Sequence, residues 1–228
     1  MNRHCVDVWV VDLSAERADL SAYKSLLSKA ELAKFAQFKN IKQAEYYAIA
    51  RAVRRRILAK YLSIDPRSIE FKKGVHGKPE LVDQKLFFNI SHSADRLLLA
   101  VSAENDLGVD IELIKQRGNL SALVGRCFAD EEQQHWLALP NTNKLEFFYR
   151  LWVAKEAFVK AIGRGIVLGM SNCVLCLPGL DGFCAVPEEY GAAESWSLNF
   201  LNVDSDYLAA VVTKADVSEI NLRTYLEF

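Results

Sequence analysis

Alternating apolar and polar positions predict β-strands in both halves of this 228-residue chain. Four apolar runs have strand length and are bounded by polar or turn-forming residues: 6–13, 86–90, 96–102 and 107–114. The polar residues 91–95 form a connection of hairpin size between two of these strands. Three shorter runs of the same kind follow near the C-terminus: 173–177, 196–203 and 207–212.

Helical periodicity predicts helices in the first half between these strands. Residues 41–62 place apolar side chains at helical spacing, which predicts a long helix that stops before Pro66. Ser28, followed three positions later by Glu31, predicts a capping box at the start of an earlier helix. Both helices lie in a segment that is rich in Lys and Arg.

The second half repeats the order of strand, helices and strands. Asp130 with Gln133 predicts a capped helix start, and 142–162 predicts a longer helix with Gly163 as its C-cap. We therefore expect an α+β fold with two pseudo-symmetric subdomains, each a small antiparallel sheet packed with helices. The two expected subdomains are residues 1–105 and 106–228.

Composition narrows the class of protein. With 51% hydrophobic and 25% charged residues, the chain has the composition of a globular protein. No run approaches 18 apolar residues, so we expect no membrane partner. Five cysteines in 228 residues are far fewer than a disulfide scaffold contains, which indicates a reducing compartment and, by default, the cytoplasm.

The net charge of −1 averages two segments of opposite sign. Residues 21–85 carry 15 Lys and Arg against 6 Asp and Glu, whereas residues 86–228 carry 11 against 19. This asymmetry suits a polyanion on the basic side and a metal or basic group on the other, or two solvated faces that pair with each other. The short run at residues 54–56, Arg-Arg-Arg, is interpreted as a solvated helix face, and no nucleic-acid partner is expected.

Two carboxylates follow one another on the predicted strand 107–114. Asp110 and Glu112 are two positions apart and therefore share one face, while Val109 and Ile111 point to the other face. Like charges this close are unfavourable unless a cation lies between them, and oxygen ligands suit Mg²⁺. The alternative is an edge strand with a polar face.

The helix 142–162 carries a second set of charged residues. Trp152, Glu156 and Lys160 are four positions apart and lie on one stripe. Glu156 and Lys160 can be an ordinary surface pair. If this helix instead packs over the strand of Asp110, Glu156 becomes a third oxygen ligand and Lys160 a cation beside the bound group.

Other polar residues have structural and functional interpretations. His92 lies at a predicted strand end, where it can meet a ligand or make a structural hydrogen bond. Cys173 and Cys176 would point to opposite faces of a strand, so buried cysteines are favoured over a zinc site. The chain has no P-loop, dinucleotide-binding or nucleophile-elbow motif.

Four motifs occur in a specific order along the chain: Gly-Lys-Pro at 77–79, Phe-Asn-Ile-Ser-His-Ser at 88–93, Gly-Val-Asp-Ile-Glu at 108–112, and 152–160 with Gly163 after it. In these motifs the sequence resembles the 4′-phosphopantetheinyl transferases, specifically the longer, surfactin-synthetase-type class. The resemblance implies a pseudo-dimeric α+β fold with coenzyme A and Mg²⁺ in the cleft between the subdomains. Val153 departs from the small polar residue that is frequent in the helix motif.

The resemblance also implies a set of site residues. The metal ligands would be Asp110, Glu112 and Glu156. The positions around the nucleotide and its 3′-phosphate would be Lys78, Pro79, Ser91 and His92, and Lys160 would lie near the reacting phosphate. The basic helical region used toward the cofactor or partner would contribute Lys34, Arg51 and Arg55.

The activity implied by the resemblance is transfer of phosphopantetheine from coenzyme A to a serine of an apo acyl or peptidyl carrier protein, with Mg²⁺ as cofactor and 3′,5′-adenosine diphosphate released. Glu156 would be the base, directly or through a water, and Lys160 would assist the leaving group. We expect a monomer. Two alternatives are a non-catalytic module that binds acidic partners through the basic helix, and another Mg²⁺-dependent phosphotransferase or phosphohydrolase that needs no carrier.

Overall fold

The computed structural model describes residues 4–74, 76–83, 85–104, 106–163 and 169–226. The helices are α1 (Leu20–Ser25), α2 (Lys29–Phe35), α3 (Ile41–Leu62), α4 (Leu120–Cys127), α5 (Asp130–Ala138) and α6 (Asn141–Ala161). The strands are β1 (Cys5–Asp12), β2 (Phe71–Lys73), β3 (Pro79–Leu81), β4 (Phe87–Ser93), β5 (Arg96–Ser102), β6 (Leu107–Leu113), β7 (Val174–Leu175), β8 (Phe183–Ala185), β9 (Trp196–Leu201), β10 (Tyr207–Lys214) and β11 (Glu219–Thr224). The α+β class is confirmed. None of the helices described is long and apolar enough to cross a membrane.

The longer strands form two sheets, with strand orders β11-β1-β5-β4 and β6-β10-β9. Neighbouring strands are antiparallel except for β1 and β11, which are parallel. The sequence predicts only antiparallel pairs within each half. The parallel pair arises because the last strand of the chain returns to the sheet of the first half. Two short hairpins, β2-β3 and β7-β8, complete the β-structure of the described residues.

The polar residues 91–93 belong to β4 and not to a loop, so the predicted connection 91–95 is wrong. Ser91 pairs with Leu98 across the hairpin, and the turn itself is only Ala94 and Asp95. Ser91 and Ser93 are tolerated in this strand because they face β6 of the other sheet, whereas His92 between them is exposed.

The two sheets meet where β4 lies beside β6. There, side chains of β4 bind backbone N–H groups of β6 in place of backbone-to-backbone hydrogen bonds. Asn89 Oδ1 accepts a hydrogen bond from Val109 N at 3.0 Å. Ser93 Oγ accepts one from Leu113 N at 3.1 Å. These bonds satisfy backbone groups at the open edge of β6. They also bring the polar face of β4 against the carboxylates of β6.

Each sheet is covered by one long helix. The buried side of α3 packs on the first sheet, and α6 packs on β6 and β10. A Cβ atom at Gly108 would lie 1.9 Å from Ala157 O and 2.4 Å from Ala161 N. The glycine therefore lets the backbone of α6 approach that of β6, which places the side chains of α6 directly over the strand.

The capping box predicted at Ser28 and Glu31 is present at the start of α2, whereas the prediction for α5 is wrong by one residue. The N-cap of α5 is Ala129, and Glu132 is three residues after it. Glu132 Oε2 therefore accepts a hydrogen bond from Ala129 N at 2.9 Å. Gln133 instead donates to Phe128 O at 2.8 Å.

The cysteines also differ from expectation. Cys176 forms a disulfide with Cys184 across the β7-β8 hairpin, whereas Cys173 is buried and reduced. The prediction that Cys176 is a buried cysteine is therefore wrong, because the residue is partly exposed and disulfide-bonded. The pairing of β7 with β8 brings Cys184 to Cys176. The spacing between Cys173 and Cys176 carries no information about that pairing.

Candidate active site

Asp110 lies at the centre of a buried polar cluster between β4, β6 and α6. Its side chain is 6% exposed. Oδ1 accepts from Ser91 Oγ of β4 at 2.7 Å and from Lys160 Nζ of α6 at 2.6 Å. Oδ2 is buried and has no hydrogen-bond partner among the described residues. One oxygen is thus fully engaged, while the other is free to accept a donor or a cation.

Glu112 lies on the same face of β6, as the two-residue spacing predicts. Its Oε2 accepts from Ser93 Oγ at 2.9 Å, and the guanidinium of Arg117 lies 3.7 Å away. Arg117 is itself held by a 2.9 Å hydrogen bond to Tyr149 Oη. The second carboxylate is therefore closer to solvent and is balanced by a cation from the loop after β6.

Glu156 and Lys160 extend from α6 over the strand of Asp110, so the second of the two alternatives for this helix, packing over β6, is the one found. Lys160 Nζ donates to Ser91 Oγ at 2.8 Å as well as to Asp110. Glu156 Oε1 is buried without a hydrogen-bond partner in the part of the chain that the structure describes. The helix thus adds a third carboxylate and a cation to the pair on β6.

The three carboxylates repel one another. Burial raises the pKa of Glu156, and the negative charges of Asp110 and Glu112 raise it further against the opposing effect of Lys160. Burial also raises the pKa of Asp110, and Lys160 opposes that shift. A site with more negative charge than its single lysine balances is one that a cation would stabilise.

The donor set suits a hard divalent cation. Its atoms are carboxylate oxygens, the ligands that Mg²⁺ prefers, and two of them are buried without a hydrogen-bond partner within the described ranges. In the same ranges, no three His, Cys, Asp or Glu side chains are already gathered in a ligand geometry. The residues therefore fit the ion chemically, although Lys160 occupies one oxygen of Asp110.

A cavity of about 890 Å³ opens beside this cluster and is lined by aromatic and aliphatic residues together with Arg51 and His92. His92 stands exposed at its mouth. Desolvation by the surrounding protein lowers the pKa of His92, and the positive charges of Lys160 and Arg51 lower it further. Arg51 lies over the ring of Tyr47 at 5.1 Å. This side of the cleft is therefore electropositive, whereas the β6 side is electronegative.

A second cavity, of about 970 Å³, adjoins the first and shares Tyr47, Arg51 and Pro79 with it. Its lining contains most of the predicted basic residues, namely Lys34, Arg51 and Arg55. Arg51 thus stands at the junction of the two cavities. A long anionic ligand could contact it from either side.

Arg54 and Arg55 are buried, so the interpretation of the basic run as a solvated face is wrong. Both guanidinium groups share the carboxylate of Glu31, at 3.2 and 3.0 Å, and both lie over the ring of Phe71. Arg55 also donates to Ile69 O at 2.7 Å. The charges are tolerated inside because an acidic side chain, a ring face and a carbonyl surround them.

Lys78 is not among the described residues that line the cavity of His92. Its ammonium instead contacts Asp106, Leu107 O at the start of β6 and Ala161 O at the C-terminal end of α6. Pro79 itself lines both cavities.

Two residues of the cluster were not predicted as site residues. Ser93 could have been found from the alternation of polar residues along 89–93, which puts it on the face of Ser91. Arg117 has no comparable pattern, because only the path of the loop after β6 brings it to Glu112.

Comparison of the sequence with known proteins gives the family of this chain. Residues 13–104 match the family model described as 4′-phosphopantetheinyl transferase, N-terminal, and residues 106–212 match that of the 4′-phosphopantetheinyl transferase superfamily. The chain is 31% identical over 210 residues to the 4′-phosphopantetheinyl transferase HetI of Nostoc sp., covering 90% of this chain and 86% of HetI. It is 32% identical over 149 residues to the 4′-phosphopantetheinyl transferase gsp of Aneurinibacillus migulanus, covering 65% and 61%.

Among solved structures, the Thermotoga maritima holo-[acyl-carrier-protein] synthase AcpS matches with a TM-score of 0.39 and 17% identity, covering 48% of this chain and 62% of AcpS. The two family models and the coverage of HetI show that this chain belongs to the 4′-phosphopantetheinyl transferases, enzymes of the holo-acyl-carrier-protein synthase type. Its activity is therefore the transfer of phosphopantetheine to a carrier protein. Its assignment to the longer, surfactin-synthetase-type class stays a prediction.

Proposed function

We propose that this chain transfers 4′-phosphopantetheine from coenzyme A to a serine of an apo acyl or peptidyl carrier protein, with Mg²⁺ as its cofactor. The observation that carries the proposal is the cluster of Asp110, Glu156 and Lys160, in which two buried carboxylate oxygens have no hydrogen-bond partner in the described part of the chain. The monomeric state and the cytoplasmic location stay predictions.

In this reaction the serine oxygen forms a bond to the β-phosphorus of coenzyme A. The bond between that phosphorus and the oxygen that bridges to the α-phosphate breaks, and 3′,5′-adenosine diphosphate leaves. The serine proton passes to a base of the enzyme. Asp110, Glu112 and Glu156 would hold Mg²⁺, which would supply charge neutralisation to the pyrophosphate oxygens when bound.

Glu156 is the residue that we assign as the base. In the metal-free protein, burial and the neighbouring carboxylates raise the pKa of Glu156. Its Oε1 is also without a hydrogen-bond partner among the described residues, so it can accept the serine proton without losing an existing bond. Lys160 would remain beside Asp110 and stabilise negative charge on the leaving group.

The electropositive side of the cleft suits the nucleotide end of coenzyme A. Arg51 lies at the junction of both cavities, His92 lies at the mouth of one, and Lys34 lines the other. We assign His92 to the 3′-phosphate. Desolvation, and after it the positive charges of Lys160 and Arg51, lower the pKa of this imidazole, and a bound phosphate would favour its charged form. Ser91 is held by Asp110 and Lys160 and would position this end of β4.

The central experiment mixes the protein with coenzyme A, Mg²⁺ and an apo carrier protein, and weighs the carrier by mass spectrometry. We expect a gain of one phosphopantetheine per carrier, none with a carrier whose acceptor serine is replaced by alanine, and none with excess chelator. Transfer that survives chelation would remove Mg²⁺ from the proposal. Release of phosphate from simple phosphoesters without a carrier would indicate a different phosphotransferase or phosphohydrolase.

The role of His92 can be tested with coenzyme A and dephospho-coenzyme A, which lacks the 3′-phosphate. A charged hydrogen bond that is equal in the ground and transition states is worth about 1.5–3 kcal/mol and changes KM but not kcat. His92→Ala should therefore raise KM for coenzyme A about ten- to a hundredfold. The KM values of this variant for coenzyme A and for dephospho-coenzyme A should be nearly equal. A lower kcat with an unchanged preference for the 3′-phosphate would mean that His92 acts elsewhere.

The carrier is expected to dock through charge. Residues 21–85 carry 15 basic against 6 acidic side chains, and carrier proteins of this kind are acidic helical bundles. Raising the salt concentration should therefore increase KM for the carrier more than KM for coenzyme A. A KM for the carrier that does not change with salt would count against the basic surface.

A further inference from the structure

Lys78 crosses from the first half of the chain to the second and ends among backbone groups. Its Nζ donates to Leu107 O at 3.2 Å and to Ala161 O at 3.0 Å, and Asp106 Oδ1 lies 3.6 Å away. The side chain is 14% exposed. The ammonium therefore makes two hydrogen bonds to backbone carbonyls and a longer ion-pair contact with Asp106.

These partners lie at the ends of the two elements that carry the candidate site. Ala161 is the last residue of α6 and follows Lys160 directly. Leu107 is the first residue of β6 and precedes Gly108, where the backbone of α6 lies close to that of the strand. The Lys78 ammonium therefore joins the backbones of α6 and β6. Its contact on α6 is one residue from Lys160, and its contact on β6 is one residue from Gly108.

The chemistry of a helix end explains why a lysine is suited to this place. The last carbonyls of a helix have no N–H of the same helix to accept from, and they form its negative end. A cation that donates to such a carbonyl both satisfies it and is attracted by the helix dipole. Lys78 does so from another segment of the chain, close to the left-handed Gly163 that follows the helix.

We propose that Lys78 is a positioning residue for the transfer reaction: it holds the C-terminal end of α6 against the start of β6, so that Glu156 and Lys160 keep their place relative to Asp110. This inference rests on the proposed function. It differs from the role that the family resemblance implies, in which Lys78 lies near the 3′-phosphate. In this structure the Lys78 ammonium contacts the two carbonyls and Asp106, and Lys78 is not among the described residues that line the cavity of His92.

The kinetic test compares Lys78→Met with Lys78→Arg, which keeps the charge and the donors. Lys85→Met is the matched control, because Lys85 is an exposed lysine of the same half whose recorded ion pair is with its neighbour Asp83. Lys78→Met should lower kcat about ten- to a hundredfold while the ratio of KM for dephospho-coenzyme A to KM for coenzyme A stays at the wild-type value. Lys78→Arg should recover part of kcat. A collapsed ratio would assign Lys78 to the phosphate, and an unchanged kcat would overturn the positioning role.

A second measurement does not depend on catalysis. Hydrogen exchange of the amides in the last turn of α6 should be at least about tenfold faster in Lys78→Met than in the wild type, because a charged hydrogen bond that closes this turn is lost. Lys85→Met should not change it. If Lys78→Met does not fold, Lys78→Gln, which keeps a donor, takes its place. Unchanged exchange would overturn the inference, whereas faster exchange in a protein that modifies no carrier would leave the contact intact and refute only the proposed function.

Discussion

Replacing Gly108 by alanine tests whether the close approach of α6 to β6 builds the candidate site. The added Cβ would lie 1.9 Å from Ala157 O and 2.4 Å from Ala161 N, whereas Cβ contacts below 3.0 Å essentially never occur. Both atoms belong to the helix backbone, so no change of rotamer relieves the clash. The helix must therefore move away from the strand by about an ångström, a displacement that overpacked cores tolerate only at a cost.

The expected magnitudes follow from this displacement. Overpacking of a buried contact costs about 1–3 kcal/mol, which should lower Tm by several degrees. The 2.6 Å bond from Lys160 Nζ to Asp110 Oδ1 would lengthen beyond hydrogen-bonding distance. Misplacement of reacting groups by about 1 Å can reduce the rate about a hundredfold. We expect kcat to fall by this order while the protein remains folded.

The assay pairs thermal unfolding with steady-state transfer to a carrier protein. Gly125→Ala is the control, since Gly125 lies in α4 with no heavy atom of the described chain within 4 Å of its added Cβ. That variant should keep Tm or raise it, because alanine is favoured in a helix, and should keep its activity. A Gly108→Ala protein with wild-type Tm and kcat would refute the argument that backbone contact between α6 and β6 sets the site.

Three further predictions concern charged groups. Asp110→Asn and Glu156→Gln each remove repulsion between carboxylates whose pKa values are raised in the folded protein. Without divalent cations, and at a pH above those pKa values, both variants should keep or raise Tm while transfer is lost. The gain in Tm should shrink as the pH falls, because the wild-type carboxylates then become protonated. The pKa of His92 is lowered in the free protein, and a bound phosphate would favour the charged imidazole, so binding of coenzyme A should take up a proton and weaken with rising pH. Calorimetry in buffers of different ionisation enthalpy measures this proton uptake. Proton uptake that persists in His92→Gln would contradict the assignment. Lys155 forms a fully buried ion pair with Glu132, so Lys155→Met should cost about 3–5 kcal/mol in chemical unfolding. Adding Glu132→Gln, which removes the unpaired charge and keeps an acceptor for the backbone donors that Glu132 binds, should recover part of this loss; if the single and the double variant are equally stable, the lone carboxylate is tolerated.

Local patterns in the sequence were sufficient for most of the helices and strands. The bounds of α3 agree with the predicted 41–62, because periodicity along one helix and the residues that end it are local properties. The capping box of Ser28 and Glu31 is likewise contained in four residues. The shared face of Asp110 and Glu112 follows from the two-residue period of a strand, and the four ordered motifs were enough to identify the family.

The tertiary structure decided what lies between these elements. The return of β11 to the first sheet, the burial of Arg54 and Arg55, and the disulfide of Cys176 with Cys184 each depend on which distant segments become neighbours. Lys78 shows the same limit. Its motif places it beside Pro79, but the carbonyls that hold its ammonium lie 29 and 83 residues further on. A donor satisfies whichever acceptor the fold brings within about 3 Å, and spacing along the chain records the partners of a side chain only when they belong to the same helix, strand or turn.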